Sequence, residues 1–212
     1  MRDSRALRDA VIATALEMNV LGINRGKAGN VSARIDTGFL VTPSGMPYAE
    51  IGADDIVAMG TDGSHASSRR PSSEWRFHRD IYAARSDAKA IVHTHSPFAT
   101  TLACLDRGIP AFHYMIAVAG GHDIRCSPYA TFGTQELSDH AVCALEGRRA
   151  CLMSHHGMIA IGASLKQALA LAVEVETLAE MYWRALQVGE PSLLPPDELD
   201  RVLTKFADYG KA

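Results

Sequence analysis

The chain has 212 residues, 47% of them hydrophobic and 21% charged, with a formal net charge of -3 at pH 7. That length fits one compact domain, and that apolar share excludes a disordered chain. A mildly acidic balance counts against binding nucleic acid by phosphate neutralisation, and no apolar run reaches the ~18–20 residues that a membrane span requires.

Residues 5–21 read as the first helix: Leu7, Val11, Thr14, Met18 and Leu21 recur at steps of three and four, and Gly22 fits its stop. The first eleven residues carry charge and no apolar stretch, so no secretory signal is expected. The four cysteines, at 104, 126, 143 and 151, form no C-x-x-C pair. Free thiols and a cytoplasmic location are the expectation. Residues 23–34, INRGKAGNVSAR, form a glycine-bearing turn running into a strand. GFLVTPSG, 38–45, is a second strand ended by its Pro-Ser-Gly turn. A short strand is expected over 54–59, an exposed polar loop over 60–71, and a helix from Ser72 to about residue 84. Then come a strand at 89–95, a helix at 97–105 and an irregular stretch at 111–132. A helix at 134–146 precedes two strands, 149–153 and 157–161. The longest helix starts at Ser164, with Ala168, Leu171, Val175, Leu178 and Tyr182 on one stripe to about Leu186. Pro191, Pro195 and Pro196 break the chain before a last helix at 197–207. Strands and helices alternate, yet several strands follow one another directly. That predicts a layered α/β fold with a mixed sheet, as a single domain over 1–212.

His93-Thr94-His95 is the strongest chemical cluster, because strand side chains alternate and both imidazoles leave one face at the strand's end. His155 or His156, after the apolar strand 150–153, can supply a third. Three protein ligands and an open position make a common catalytic zinc set; the other reading is histidines satisfied in a core or at the surface. Glu74, in Pro71-Ser72-Ser73-Glu74-Trp75, is the candidate carboxylate, as base or ligand. The serine hydroxyls and free N–H groups beside it suit a phosphate, or else a plain helix cap. Gly29-Asn30-Val31-Ser32 and Thr42-Pro43-Ser44-Gly45 are polar turns beside strands, able to approach a ligand or to serve as turns alone. Tyr114, in His113-Tyr114-Met115, can exchange a proton or simply pack. No phosphate-binding glycine loop of nucleotide enzymes and no serine-hydrolase elbow is present in the sequence.

These residues belong to a wider pattern. GNVS (29–32), TPSG (42–45), PSSEWRFH (71–78), VHTH (92–95), IPAFHYM (109–115), SPYATFGT (127–134), HHG (155–157) and KFADYG (205–210) run through nearly the whole chain. In that order they resemble the class II, metal-dependent sugar-phosphate aldolases, above all those acting on L-fuculose 1-phosphate. PSSEWRFH and the stretch from HYM to PYATFGT are the specific parts; GNVS is shared more widely.

The resemblance implies a three-layer αβα fold about a central mixed, mainly antiparallel sheet. It implies zinc held by His93, His95 and His156, with Glu74 as fourth ligand and as acid/base. It implies a phosphate pocket of Gly29, Asn30, Ser44, Gly45, Ser72 and Ser73, and an aldehyde end lined by Phe132 and Phe206. Tyr114 and Tyr209 would reach the site from a neighbouring subunit of a homotetramer. The implied reaction is retro-aldol cleavage of a 1-phosphoketose, L-fuculose 1-phosphate or a close relative. Its products are dihydroxyacetone phosphate and a short aldehyde such as L-lactaldehyde. Other superfamily reactions stay open: 4-epimerisation of L-ribulose 5-phosphate, dehydration of methylthioribulose 1-phosphate, and cleavage of deoxy- or methylthio-ribulose 1-phosphate. A non-catalytic zinc- or sugar-phosphate-binding module is the remaining alternative. Three features depart from the pattern: Lys27 where close relatives carry a small hydroxyl residue, Ser44 in place of threonine, and a segment near 192–197 shorter by one residue.

Overall fold

The computed structural model describes residues 1–208, so Tyr209 lies outside the described residues. Its strands, in chain order, are β1 (Asn30–Ile35), β2 (Gly38–Val41), β3 (Val57–Gly60), β4 (Ala90–Thr94), β5 (Cys126–Ser127), β6 (Ala150–Met153) and β7 (Gly157–Gly162). The helices are α1 (Arg5–Val20), α2 (Trp75–Ala84), α3 (Pro97–Ala103), α4 (Gln135–Ala144), α5 (Leu165–Val188) and α6 (Pro196–Asp208). The strands join one sheet in the order β3-β2-β1-β4-β7-β6-β5. Every pairing is antiparallel except that of β5 with β6.

Alternation along the strands sends side chains into two cores. Val31, Ala33, Val92, Met158 and Ala160 pack with α1, α3 and α5. Phe39, Ile91, Ile159 and Ile161 pack on the other face with Phe77 and Ile81 of α2 and Leu137 and Ala141 of α4. The result is three layers, αβα, around a mixed and mainly antiparallel sheet. The stripe expected on the longest helix is buried from Ala168 to Tyr182, and Ser164 caps that helix by accepting the Gln167 N–H at 3.2 Å. From the same helix the buried Glu176 carboxylate reaches the start of α3 and accepts the Phe98 and Ala99 N–H groups at 2.8 and 2.9 Å.

Three local expectations shift. The helix placed from Ser72 begins at Trp75, because Ser72 and Ser73 form a turn closed by the Trp75 N–H on the Ser72 carbonyl at 3.1 Å. The strand placed from Asp54 begins at Val57, because Ala53–Asp55 is a 3-10 turn braced by the Gly52 N–H on the Asp55 carboxylate at 2.9 Å. The stretch 111–132 contains a 3-10 helix, Tyr114–Ala119, and the two residues of β5.

Candidate active site

β4 is buried along its whole length, and its alternation sets His93 on the α2 face, where its ring meets Phe77 edge-on at 5.5 Å. The His93 Nδ1 lies 2.9 Å from the Met158 carbonyl oxygen. A carbonyl only accepts, so the ring proton sits on Nδ1 and the Nε2 lone pair faces the site. His95, two residues on, brings its Nε2 to 3.1 Å from that of His93. After β6 the chain reverses through Ser154–His156. His155 takes a left-handed backbone at φ 51° and its side chain stays half exposed, whereas His156 is turned inward. Of the two histidines left open by the sequence, His156 is the one that joins: ligand atoms of His93, His95 and His156 all lie within 4.8 Å of one another.

Two glycines make this convergence possible. A Cβ on Gly29 would stand 2.4 Å from the His93 carbonyl oxygen, and one on Gly157 2.3 Å from the Thr94 carbonyl oxygen. Both would push the neighbouring strands off the histidine strand.

Glu74 is buried beside the imidazoles, with Oε2 3.2 Å from His93 Nε2 and Oε1 2.9 Å from His156 Nε2. Despite that proximity Oε1 has no aligned hydrogen-bond donor among the described residues. Imidazole nitrogens and an unsatisfied carboxylate oxygen crowding one point are a donor set suited to a divalent cation. Burial pushes the Glu74 carboxyl up, but His93 and His156 outweigh it and hold the carboxyl far below its usual range. Burial, then His93 and His156, pushes His95 down to about 4, so its ring offers a lone pair at neutral pH.

Asn30, placed in the phosphate pocket by resemblance, has its side chain engaged elsewhere. Its Nδ2 donates to Glu74 Oε2 at 2.8 Å, and its Oδ1 lies 2.5 Å from His78 Nε2. Ser72 accepts the Glu74 N–H through its hydroxyl at 3.3 Å. The TPSG and PSSE turns are strapped together by the Ser72 N–H on the Thr42 carbonyl and the Ser44 N–H on the Arg70 carbonyl, both at 3.0 Å. Ser44 and Gly45 line a depression of about 700 Å³ with Arg69 and Arg70. Lys27 Nζ donates to the Gly45 carbonyl at 2.7 Å.

A separate cavity of about 250 Å³ opens at the imidazoles. Glu74, His95, His156 and Ser73 form one wall; Tyr129, Ala130, Phe132 and His155 form the other. Phe132 is therefore at the site, whereas Tyr114 is exposed on its 3-10 helix and stacks with Phe206 at 6.3 Å, away from this cavity. The sequence reading missed Tyr129 and His78, and weighed His155 only as an alternative to His156, not as a residue lining the cavity. The only trace of His78 was its place in PSSEWRFH.

Residues 9–183 match the family described as Class II Aldolase and Adducin N-terminal domain. The chain is 59% identical over 205 residues to a 5-methylthioribulose-1-phosphate/5-deoxyribulose-1-phosphate aldolase of Rhodospirillum rubrum, covering 97% of this chain and 93% of that one. It is 50% identical over 201 residues to the L-fuculose phosphate aldolase of Escherichia coli K12, covering 94% of each. A solved L-fuculose 1-phosphate aldolase structure superposes with a TM-score of 0.94 at 40% identity, covering 97% of this chain and 98% of the other.

Proposed function

Since the chain belongs to the Class II Aldolase and Adducin N-terminal domain family and is an aldolase, we propose that it cleaves the C3–C4 bond of a 1-phosphoketose to dihydroxyacetone phosphate and a short aldehyde. The observation that carries this reading is the buried Glu74 carboxylate among three imidazoles, opening on a cavity whose far wall is aromatic. That wall suits an aldehyde ending in a methyl or methylthio group. L-Fuculose 1-phosphate, 5-deoxyribulose 1-phosphate and methylthioribulose 1-phosphate all end that way, which unites the substrates named for the relatives.

A zinc or other divalent ion held by His93, His95 and His156 would act as Lewis acid for the charge that builds on the C2 oxygen. As C3–C4 breaks, the C4 hydroxyl gives up a proton and C3 gains one; Glu74 takes up the released proton and delivers it to C3 through Oε1, the oxygen left without a donor among the described residues. Ser44, Gly45, Ser72, Ser73 and the Gly29–Asn30 backbone hold the phosphate, which is positioning rather than bond chemistry. Tyr114 and Tyr209 handle the C4 oxygen from a neighbouring subunit of a cytoplasmic homotetramer, and Phe206, stacked on Tyr114, comes with them to join Phe132 at the aldehyde end. Exposure of Tyr114, Tyr129 and Phe132 on one chain supports a site completed by another.

A product screen over 1- and 5-phosphoketoses tests the reading. Dihydroxyacetone phosphate should appear with acetaldehyde, L-lactaldehyde or methylthioacetaldehyde, should cease after prolonged chelation, and should return with zinc. A 5-phosphate epimer without free aldehyde, a dehydrated sugar phosphate, or binding without any product would overturn it.

A further inference from the structure

Behind Glu74 runs a file of buried polar side chains that the reaction described above leaves unused. It passes from Tyr82 through Ser32 and His78 to Asn30, and none of these is more than 5% exposed. The acid end fixes the direction of every proton. The Asn30 amide nitrogen lies 2.8 Å from Glu74 Oε2 and donates to it. The Asn30 amide oxygen is thereby turned to His78, and it too only accepts, so His78 carries its proton on Nε2. Among the described residues the His78 nitrogens meet no carboxylate, and a fully buried ring in that setting is neutral. Its Nδ1 is then bare and accepts the Ser32 hydroxyl at 2.7 Å, which accepts the Tyr82 hydroxyl at 2.8 Å. Every donor in the file points toward Glu74 Oε2.

We propose that His78 is a positioning residue of the reaction: through Asn30 it fixes Glu74 Oε2 as an acceptor and leaves Oε1 as the oxygen that exchanges a proton with substrate. An amide does not pass a proton along, so the file orients and does not conduct. Without the His78 donor the Asn30 amide is free to turn its oxygen to the carboxylate, which repels it and displaces Glu74 from the imidazoles. The inference rests on Glu74 being the acid/base.

Two variants separate orientation from packing. In H78Q the side-chain amide places a donor near the position of Nε2; in H78N the side chain is too short to reach Asn30. In H78N, cleavage kcat and C3 hydrogen exchange of dihydroxyacetone phosphate should fall together by roughly 10–100-fold, the usual scale for supporting residues. KM and bound metal should stay at wild-type values, and H78Q should recover most of the rate. Wild-type rates in H78N, or H78Q no faster than H78N at equal metal content, would overturn the proposal. Nitrogen-15 NMR of the histidines in the intact wild-type holoenzyme gives a readout independent of either variant's folding. His78 should be neutral with its proton on Nε2, and a proton on Nδ1 instead overturns the role. E74Q separates the two readings. Wild-type exchange in E74Q would sink the acid/base reading and this role with it. Slow exchange in E74Q beside wild-type exchange in H78N would sink the role of His78 alone.

Discussion

The two walls of the cavity are built by different means. On one, His95 and His156 stand beside the buried His93 at the ends of β4 and β6, packed against strands that glycines allow to close in. On the other, Tyr129, Phe132 and His155 stand on loops, and each side chain is more than half exposed. A sheet fixes positions to the precision that ligand geometry needs, whereas loops tolerate the variation that substrate choice needs. Bond chemistry should therefore reside in the strand wall and discrimination among aldehydes in the loop wall.

The largest expected effect tests the strand wall. His95→Ala removes one of three nitrogen donors and should abolish both metal retention and cleavage, as elemental analysis and a coupled assay would show. Full activity in metal-free protein would end the comparison. Next, Glu74→Gln keeps the shape and one acceptor oxygen of the carboxylate but cannot carry a proton. Metal should be retained while kcat falls by roughly 10²–10⁴. Phe132→Ala probes the loop wall. It should change the ratio of kcat/KM between two aldehyde partners by about tenfold, the scale of apolar pocket contacts, with C3 exchange of dihydroxyacetone phosphate unaltered. Equal losses for all aldehydes would show that the loop wall also serves the chemistry.

The smallest effect lies outside both walls. Lys27 is exposed and donates to the Gly45 carbonyl on the TPSG turn, one of the turns proposed to hold the phosphate. Lys27→Thr should raise KM for phosphorylated substrate by about 1.5- to 5-fold, as for an exposed ion pair. The effect should shrink as salt screens the charge. A KM that does not respond to salt would confine Lys27 to bracing the turn.

Much of the strand wall was legible because it obeys local rules. Period-two alternation puts His93 and His95 on one face without any tertiary knowledge, and the apolar strand before His155-His156 marks a second strand end. Choosing between His155 and His156 needed the left-handed turn at His155, which no hydrophobic pattern announces. Asn30 and His78 lie 48 residues apart and meet only because α2 packs across β1, so their partnership has no local signature. The same holds for β5, whose two residues pair with β6 through contacts made 26 residues away. Tyr129 sits in an irregular stretch where neither period applies.

The proton on His93 Nδ1 rests on the main-chain oxygen of Met158. That support belongs to the peptide group and not to a side chain, so any residue at 158 that keeps β7 paired with β4 preserves it. Support for Glu74 comes instead from the amide of Asn30 and the ring of His78, and one codon change removes either. A saturation library across the site should therefore be lopsided. Position 158 should accept many apolar residues with the metal still held, while positions 30 and 78 should return few active clones. Sequence drift is buffered on one side of the centre and exposed on the other.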